Sequence, residues 1–364
     1  MFIFAPSYKG LNSHTVKDIP VYRFRYFFKR WEDLTHGEGA PNRVQSPFYF
    51  ALSFIYLVSG ALHAIRFCRQ HQFDVIQVHW PFPHGVWGYL AGVTSGTPMT
   101  LHFHGAEVLL AKKVFFVKYF LRHAIRHASA LFANSGFTRR EVTLYTDRTV
   151  EVIPYGSSLD VSPEPKIYNS DYKQILFVGR LIERKGVDYL LQALSQMPTD
   201  LNWRLNVVGI GEATDTLRSL AQQLGIDQRV HFYGFIPNEE LAIQYQQADV
   251  FVLPAIRDQK GDTEGLGVVM IEALTFKTPV VASDVGGISD VIIDGKTGLL
   301  VPEKDPEQLA KAINRILSDN ALAKRLGEAG CEHAKSYFDW ERIVDRLLEE
   351  TESSLNQSTL LKRV

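Results

Sequence analysis

The sequence predicts an α/β protein built from two doubly wound, Rossmann-like domains. Runs of strand-forming residues alternate with helical runs along almost the whole chain, which is typical of parallel sheets covered by helices on both faces. The chain has 364 residues, of which 46% are hydrophobic and 22% charged, so it can bury two cores. A stretch rich in proline and serine then separates the strand runs into two groups.

The first group contains six predicted strands and two long helical segments. The strands are 2–5, 21–26, 74–78, 98–103, 130–134 and 149–153, and the helical segments lie near 47–70 and 105–127. In the second group each strand is followed by a helix or a turn. These strands are 175–179, 204–209, 229–233, 249–253, 279–282 and 298–301. Ligands of doubly wound sheets bind at the carboxyl ends of the strands. We therefore expect a ligand-binding cleft at the carboxyl ends of both sets of strands, which would face each other.

The predicted boundaries follow this grouping. They are an N-terminal domain at 1–155, a linker at 156–172, a C-terminal domain at 173–338, and a last helix with a tail at 339–364. The linker is predicted from its prolines, its serines and its low hydrophobicity.

Composition favours a cytoplasmic protein. The two cysteines, Cys68 and Cys331, are far apart and lack metal-ligand spacing, which suits a reducing compartment. We find no export signal at the N-terminus and expect no apolar run long enough to span a membrane.

Charge is unevenly distributed along the chain. Residues 1–150 hold 17 basic and 8 acidic residues, a net +9, whereas the remainder holds 22 basic and 32 acidic residues, a net −10. This polarity indicates either an anionic partner for the N-terminal half or complementary charge between two touching domains.

Two glutamates stand eight positions apart in the segment 263–273. Glu264 lies in a glycine-containing loop, and Glu272 lies within the short buried helix predicted after Gly267. Backbone amides at the start of a helix bind anions without a side chain, and ionised carboxylates accept hydrogen bonds from hydroxyls. The segment therefore suits a sugar diphosphate.

A second motif lies upstream, in residues 175–186. A buried strand ends at Gly179, and Arg180 and Lys185 flank a turn that opens a helix. Arginine offers a planar fork of donors and lysine a mobile point charge, a combination that suits a pyrophosphate.

Together these motifs resemble those of retaining glycosyltransferases with the GT-B fold, in their fourth family (glycosyl transferases group 1), over almost the whole chain. The resemblance implies that the last helix, at 339–364, crosses back to the N-terminal domain. It also implies a nucleotide diphosphate sugar as donor substrate, with no cofactor and no bound metal. It implies that Arg180 and Lys185 grip the diphosphate and that Glu264 holds the donor sugar. It also implies a set of donor-binding residues: Gly179, Ile236, Gly265, Leu266, Gly267 and, for the ribose, Glu272.

The segment Leu101–Glu107 resembles the family's His-Gly-x-Glu/Asp element. The resemblance assigns to His104 a catalytic role beside the reacting sugar, where it would shape the pocket and help to stabilise the cationic sugar. Nearby, His79 and Trp80 end another predicted strand and either line the acceptor side or pack in the core. An acidic loop with Asp258 and Asp262 could suggest a metal, but we expect a solvated or acceptor-facing loop.

Residues 112–127 form a basic, aromatic segment without an acidic residue. As a helix it would place Val114, Val117, Leu121 and Ile125 in the core. Its cations would then face an anionic membrane or simply form the rim of an ordinary domain helix. The candidate membrane-binding residues are Lys112, Lys113, Lys118, Arg122 and Arg126.

The resemblance therefore implies a retaining transferase of a hexose to a hydroxyl of a lipid-linked or oligosaccharide acceptor. We expect it in bacterial surface polysaccharide or glycolipid synthesis, at the inner face of the plasma membrane, with no nucleic acid as partner. The alternatives are a non-catalytic or truncated nucleotide-sugar-binding subunit and a sugar-nucleotide epimerase on the same fold.

The first two strand runs look like the family's second and third strands. On that reading the first strand and its glycine-rich loop would be missing, and we expect poor stability or weak activity from this chain alone.

Overall fold

The computed structural model describes residues 1–35, 43–44, 46–157, 159 and 171–361. They divide into two compact units. The first comprises Met1–Phe132, Val142–Val150 and Glu350–Val364, and the second comprises Ala133–Glu141 and Glu151–Glu349. Most of the predicted linker, namely residues 158 and 160–170, lies outside the described residues.

The N-terminal part of the chain carries two sheets. Their strands are β1 (Ile3–Pro6), β2 (His14–Val16), β3 (Ile19–Phe24), β4 (Ile76–His79), β5 (Met99–Phe103), β6 (Ala130–Ala133) and β7 (Glu151–Val152). The helices are α1 (Pro47–Gln70), α2 (Pro81–Ser95), α3 (Ala106–Lys113), α4 (Phe115–His127) and α5 (Gly136–Thr143). One sheet has the order β1-β3-β2 and the other the order β4-β5-β6-β7, with β1 parallel to β3 and β4 parallel to β5. Within the described residues, β1 and β4 are therefore edge strands.

Two details of this region differ from the sequence expectation. The segment between the first two predicted strands forms β2, which pairs antiparallel with β3 in a hairpin. The helix predicted near 105–127 is interrupted at Val114, whose extended backbone (φ −126°, ψ 108°) ends α3 and precedes α4. Neither glycine nor proline lies at this break, so no helix-breaking residue indicates it in the sequence.

Helix α1 corrects a third expectation, that no apolar run is long enough to cross a membrane. It has 24 residues and is apolar enough to do so by length and composition alone. Only 28% of its most apolar stretch is buried, while Leu52, Tyr56 and Ala64 pack into the core. Length and composition of one helix are weak grounds for a membrane span.

The second unit is built on one parallel sheet of six strands in the order β10-β9-β8-β11-β12-β13. The strands are β8 (Lys173–Val178), β9 (Trp203–Val208), β10 (Val230–Gly234), β11 (Val250–Leu253), β12 (Val280–Ser283) and β13 (Leu299–Val301). The helices are α6 (Val187–Ser195), α7 (Thr214–Gln223), α8 (Asn238–Gln247), α9 (Val268–Thr275), α10 (Pro306–Ser318) and α11 (Asn320–Tyr337). Helix α12 (Trp340–Leu361) begins in this unit and ends in the first, to which the chain belongs from Glu350 onwards. Central strands such as β11 are buried throughout, as parallel sheets covered on both faces require. The predicted α/β fold class is confirmed.

Residues 133–141 belong to this second unit although the chain on both sides of them belongs to the first. The backbone N–H of Phe137 donates a hydrogen bond to the Asp290 carboxylate at 2.9 Å. A Cβ at Gly136 would lie 2.6 Å from the same carboxylate, so a larger residue there would push the Asp290 side chain aside. This short segment is therefore fastened to the C-terminal unit by a specific contact.

Candidate active site

The carboxyl ends of β8, β9 and β10 are joined through glycine backbones. Gly179 donates its N–H to the carbonyl of Val208 at 3.0 Å, and Gly209 donates to the carbonyl of Gly234 at 2.8 Å. A Cβ at Gly209 would lie 1.9 Å from the carbonyl oxygen of Gly179. The strand ends can approach this closely because glycine lacks a side chain.

Lys185 ends a short 3-10 turn after β8, just before α6. The following residue, Gly186, has φ +62°, and a Cβ there would lie 1.9 Å from the carbonyl oxygen of Pro254. Glycine at this position lets the turn close and fixes the direction from which the Lys185 side chain leaves the backbone. That side chain is buried, with only 7% of the residue exposed.

The Lys185 ammonium donates a hydrogen bond to Glu264 Oε2 at 2.5 Å. Arg184 Nη1 lies 3.3 Å from the same oxygen, and Arg184 Nε lies 3.5 Å from Asp262 Oδ2. Burial alone would raise the pKa of the Glu264 carboxyl, but the charges of Lys185 and Arg184 hold it below its ordinary value. The sequence placed Lys185 and Glu264 at one site, and the structure brings them into contact.

The Glu264 backbone lies in a cradle that only glycines allow. A Cβ at Gly286 would lie 2.2 Å from the carbonyl oxygen of Glu264, and a Cβ at Gly287 would lie 2.1 Å from that of Gly265. The N–H of Gly287 donates to the Glu264 carbonyl at 2.9 Å. Helix α9 begins immediately afterwards, with Gly267 at φ +84° before its first residue. The loop at 264–267 thus leads into the N-terminus of α9. The N-terminus of a helix is a favourable place for an anion.

Glu272 lies inside α9 and is only 4% exposed. It accepts a hydrogen bond at 2.8 Å from the hydroxyl of Tyr245, which is fully buried and stacks on Phe276. Burial, followed by the negative charge of Glu272, raises the pKa of Tyr245 well above its ordinary value. Sequence reasoning missed Tyr245, since nothing in the motif points to a residue 27 positions upstream.

The other predicted donor-side residues have different degrees of burial. Arg180 is exposed directly after Gly179, whereas Leu266 and Ile236 are buried. Thr263, beside Glu264, was also missed: it is 7% exposed, and its hydroxyl has no hydrogen-bond partner among the described residues. In the acidic loop, the Asp258 carboxylate accepts from the amides of Lys260 and Asp262.

The first unit carries a separate cluster of histidines at the ends of β4 and β5. His79 and His102 are paired in the register of these strands, and their rings stack with centroids 4.5 Å apart. His79 Nδ1 lies 3.2 Å from His104 Nε2, and the Trp80 ring stacks on His104 at 4.9 Å. Burial, with smaller contributions from His79 and His84, lowers the pKa of His104 to about 3. His104 is therefore neutral at pH 7.

Glu107 holds the backbone of this histidine loop. Its Oε1 accepts hydrogen bonds from the N–H groups of His104 at 2.6 Å and Gly105 at 3.4 Å. Its Oε2 is buried without a hydrogen-bond partner among the described residues. Burial outweighs these two bonds and raises the pKa of Glu107 to about 7. The sequence motif included Glu107 but gave it no role.

The basic segment at 112–127 places its cations at the surface as expected. Lys112, Lys113, Arg122 and Arg126 are exposed, and Lys118 is half-buried. Val117, Leu121 and Ile125 are buried, so the predicted core face of α4 is confirmed except at Val114, which is half-buried at the helix break.

Family models match nearly the whole chain in two adjoining parts. Residues 4–161 match "Glycosyltransferase Family 4" and residues 161–333 match "Glycosyl transferases group 1". The chain belongs to this glycosyltransferase family. It is 27% identical over 290 residues to an uncharacterized glycosyltransferase of Methanocaldococcus jannaschii, covering 79% of this chain and 78% of that protein.

A further relative shares a higher identity over a shorter stretch. It is a GDP-mannose-dependent alpha-(1-6)-phosphatidylinositol monomannoside mannosyltransferase of Mycolicibacterium smegmatis, 36% identical over 181 residues, or 49% of this chain and 47% of that protein. The chain thus matches about half the length of this curated relative.

Solved glycosyltransferase structures share the GT-B fold of the family. Sucrose-phosphate synthase from Thermosynechococcus elongatus has a TM-score of 0.73 and 23% identity, covering 100% of this chain and 88% of its own. Anabaena HepE in complex with UDP has a TM-score of 0.72 and 20% identity, covering 92% and 87%. At these identities the likeness shows the fold.

Proposed function

We propose that this glycosyltransferase transfers a hexose from a nucleotide diphosphate sugar to an acceptor hydroxyl with retention of the anomeric configuration. The contact between Lys185 and Glu264 carries this proposal. It places a buried cation beside a carboxylate that stays ionised, in a loop that precedes a helix start. The mycobacterial relative is named as GDP-mannose-dependent, and the HepE structure is a complex with UDP.

In this mechanism the protein supplies charge and position instead of a nucleophile. Arg180, Lys185 and the amides at 265–267 stabilise the charge that develops on the leaving diphosphate. Glu264 orients hydroxyls of the transferred sugar, and Glu272 serves the ribose. His104, being neutral, shapes the sugar's surroundings without adding a positive charge that would oppose a cationic transition state.

The acceptor in this proposal is a lipid-linked or oligosaccharide hydroxyl, at the cytoplasmic face of a bacterial plasma membrane. The cations at 112, 113, 118, 122 and 126 support it, because each is worth up to about 1 kcal/mol at an anionic surface. Changing all five to serine is expected to weaken binding to anionic vesicles, and added salt is expected to weaken binding of the parent. A parent protein that ignores anionic vesicles at low salt would refute this part.

The donor is tested by ligand binding and then by turnover. A thermal-shift screen with UDP, GDP and ADP is expected to raise the melting temperature with one base above the others, since a ligand that binds the native state stabilises it. Lys185→Ala is expected to lose the shift, and a matched change of the exposed Lys324 is expected to keep it. Sugar transfer to an acceptor, with its anomer assigned by NMR, separates a transferase from an epimerase or a binding subunit.

A further inference from the structure

Residues 47–62 of helix α1 are predominantly apolar on all sides, but they pack against other described residues on one side only. Its inner side contributes Leu52, Tyr56 and Ala64 to the core. Its outer side exposes large apolar residues: Phe50 (55%), Phe54 (56%), Ile55 (43%), Val58 (60%) and Leu62 (63%). A helix that is apolar all round is normally covered by protein or lipid on every side. We therefore expect another protein surface or lipid to cover the outer side of α1.

The neighbouring helices extend this exposed surface. Helix α2 packs closely on α1, where the Trp87 indole donates to the Leu57 carbonyl at 2.9 Å. On its other flank, α2 meets α4, where Phe82 contacts Phe116 with ring centroids 6.3 Å apart. The outer sides again expose apolar residues: Val93 (66%) on α2, and Phe115 (85%), Phe116 (58%), Tyr119 (69%) and Phe120 (44%) on α4. We call the exposed side of α1, α2 and α4 the apolar helix face.

The charges on these helices identify what covers the face. None of the three contains Asp or Glu, and together they carry five basic residues: Arg66, Arg69, Lys118, Arg122 and Arg126. A second copy docking by the same face would set these cations against each other. An anionic bilayer instead takes apolar side chains into the acyl boundary and cations among the headgroups.

The contacts of α1 also fix its mode of insertion. The Tyr56 hydroxyl lies 3.1 Å from His84 Nε2, and the Leu57 carbonyl accepts from Trp87, so one side of the helix is held by α2. A spanning helix would surround α2 and its buried polar groups with lipid as well. Helix α1 therefore lies along the membrane instead of crossing it.

We propose that the apolar helix face docks on an anionic lipid bilayer, with α1 lying in the interfacial plane and inserting its exposed apolar side chains. The inference deepens the proposed function, since it rests on a membrane-borne acceptor. It adds α1 to the membrane-binding surface, whereas the sequence pointed only to Phe116, Tyr119 and the cations of the segment 112–127.

The test compares two triple variants of the full chain in vesicle flotation. One changes Phe54, Val58 and Leu62 of α1 to Gln, and the matched control changes three exposed apolar residues away from the face, Leu144 (64%), Ile243 (47%) and Leu348 (51%), to Gln. Vesicles contain phosphatidylcholine with or without about a third phosphatidylglycerol. The α1 variant is expected to partition about 100-fold less than the parent, and the control like the parent. Parent binding is expected to keep a salt-resistant component.

Equal partitioning of the parent and the α1 variant would overturn the proposal. The proposal would also be overturned if the parent is dimeric and does not float with either kind of vesicle while the α1 variant is monomeric. The face would then be an interface between copies. Hydrolysis of the nucleotide sugar without vesicles reports the catalytic proposal independently. A parent that floats but never consumes donor would lose the proposed function and keep the docking face.

Discussion

The two candidate site regions of this glycosyltransferase differ in how they treat charge. In the region around Glu264, the buried carboxylate is kept ionised by two cations, Lys185 and Arg184. In the histidine cluster of the first unit, burial is the largest cause of both pKa shifts: it lowers the pKa of His104 to about 3 and raises the pKa of Glu107 to about 7, so both groups tend towards their uncharged forms. One region thus maintains fixed charge and the other suppresses it.

This contrast matches the tasks we propose for the two regions. A departing diphosphate gains from charge that is already in place, since no reorganisation is needed when the bond breaks. A sugar that becomes cationic gains from surroundings that accept hydrogen bonds and carry no positive charge. Four experiments break or sharpen the comparison.

The largest effect is expected on the charged side. Lys185→Ala, or the double variant with Arg180→Ala, is expected to lower the transfer rate about 100- to 1000-fold, the range for losing one preorganised donor. Rates are compared with Lys324→Ala, which changes an exposed lysine of the same unit. Wild-type rates in a correctly folded double variant would remove the proposed diphosphate site.

Glu107→Gln tests the suppression of charge. The raised pKa of Glu107 means that its contribution to stability is fully present below its ordinary value of 4.5 and is lost as pH rises to about 7. Glutamine resembles the uncharged form of the glutamate. Between pH 4.5 and 7, the free energy of unfolding of the variant is therefore expected to rise relative to that of the parent, by at most about 3 kcal/mol. The buried histidines, whose pKa values are lowered, destabilise the protein on acidification. Their effect is common to the variant and the parent.

Urea unfolding at several pH values measures this difference between variant and parent. Glu212→Gln, at an exposed glutamate, serves as the control and is expected to show no such trend. A difference for Glu107→Gln that stays constant from pH 4.5 to 8 would contradict the assignment.

Tyr245→Phe keeps the stacked ring and removes one donor from the buried Glu272 carboxylate. It is expected to lower the free energy of unfolding by about 1–3 kcal/mol, because a buried acceptor loses a partner. Denaturant melts are compared with Tyr337→Phe, at an exposed tyrosine. Equal stability of the two variants would show that Glu272 does not depend on this hydroxyl.

The smallest effect is expected at His79. His79→Phe keeps a ring beside His102 but loses the hydrogen bond to His104, so kcat is expected to fall about 2- to 10-fold. The KM for the donor is expected to stay unchanged, because we propose that the donor binds to residues of the second unit. His71→Phe, outside the cluster, is the control, and a rise in donor KM with constant kcat would argue against a positioning role.

The fold could be predicted well because its strands and turns follow from patterns of consecutive residues, such as apolar runs and glycines. The buried runs at 175–178 and 250–253 gave strands within a residue or two of the observed ones. The Lys185 and Glu264 motifs could likewise be read from short segments, each with its own glycines. Pairings between distant residues could not be read in this way.

Three features show where local reading stops. Tyr245 meets Glu272 through packing of α8 and α9, and Arg184 stood inside a recognised motif without any sign of its partner. Residues 47–62 of helix α1 are predominantly apolar on every side, so their periodicity cannot indicate which side the core covers. In each case the deciding information is three-dimensional.

The fastening of residues 133–141 to the C-terminal unit has a practical consequence for dissecting the enzyme. The chain passes between the two units four times, after Phe132, Glu141, Val150 and Glu349. A C-terminal fragment cut at residue 151 would leave behind the amide that binds Asp290 and expose the surface beneath it. A fragment of the C-terminal unit is better made by covalently grafting 133–141 onto its new N-terminus. A single proteolytic nick in any one crossing would leave the other connections intact.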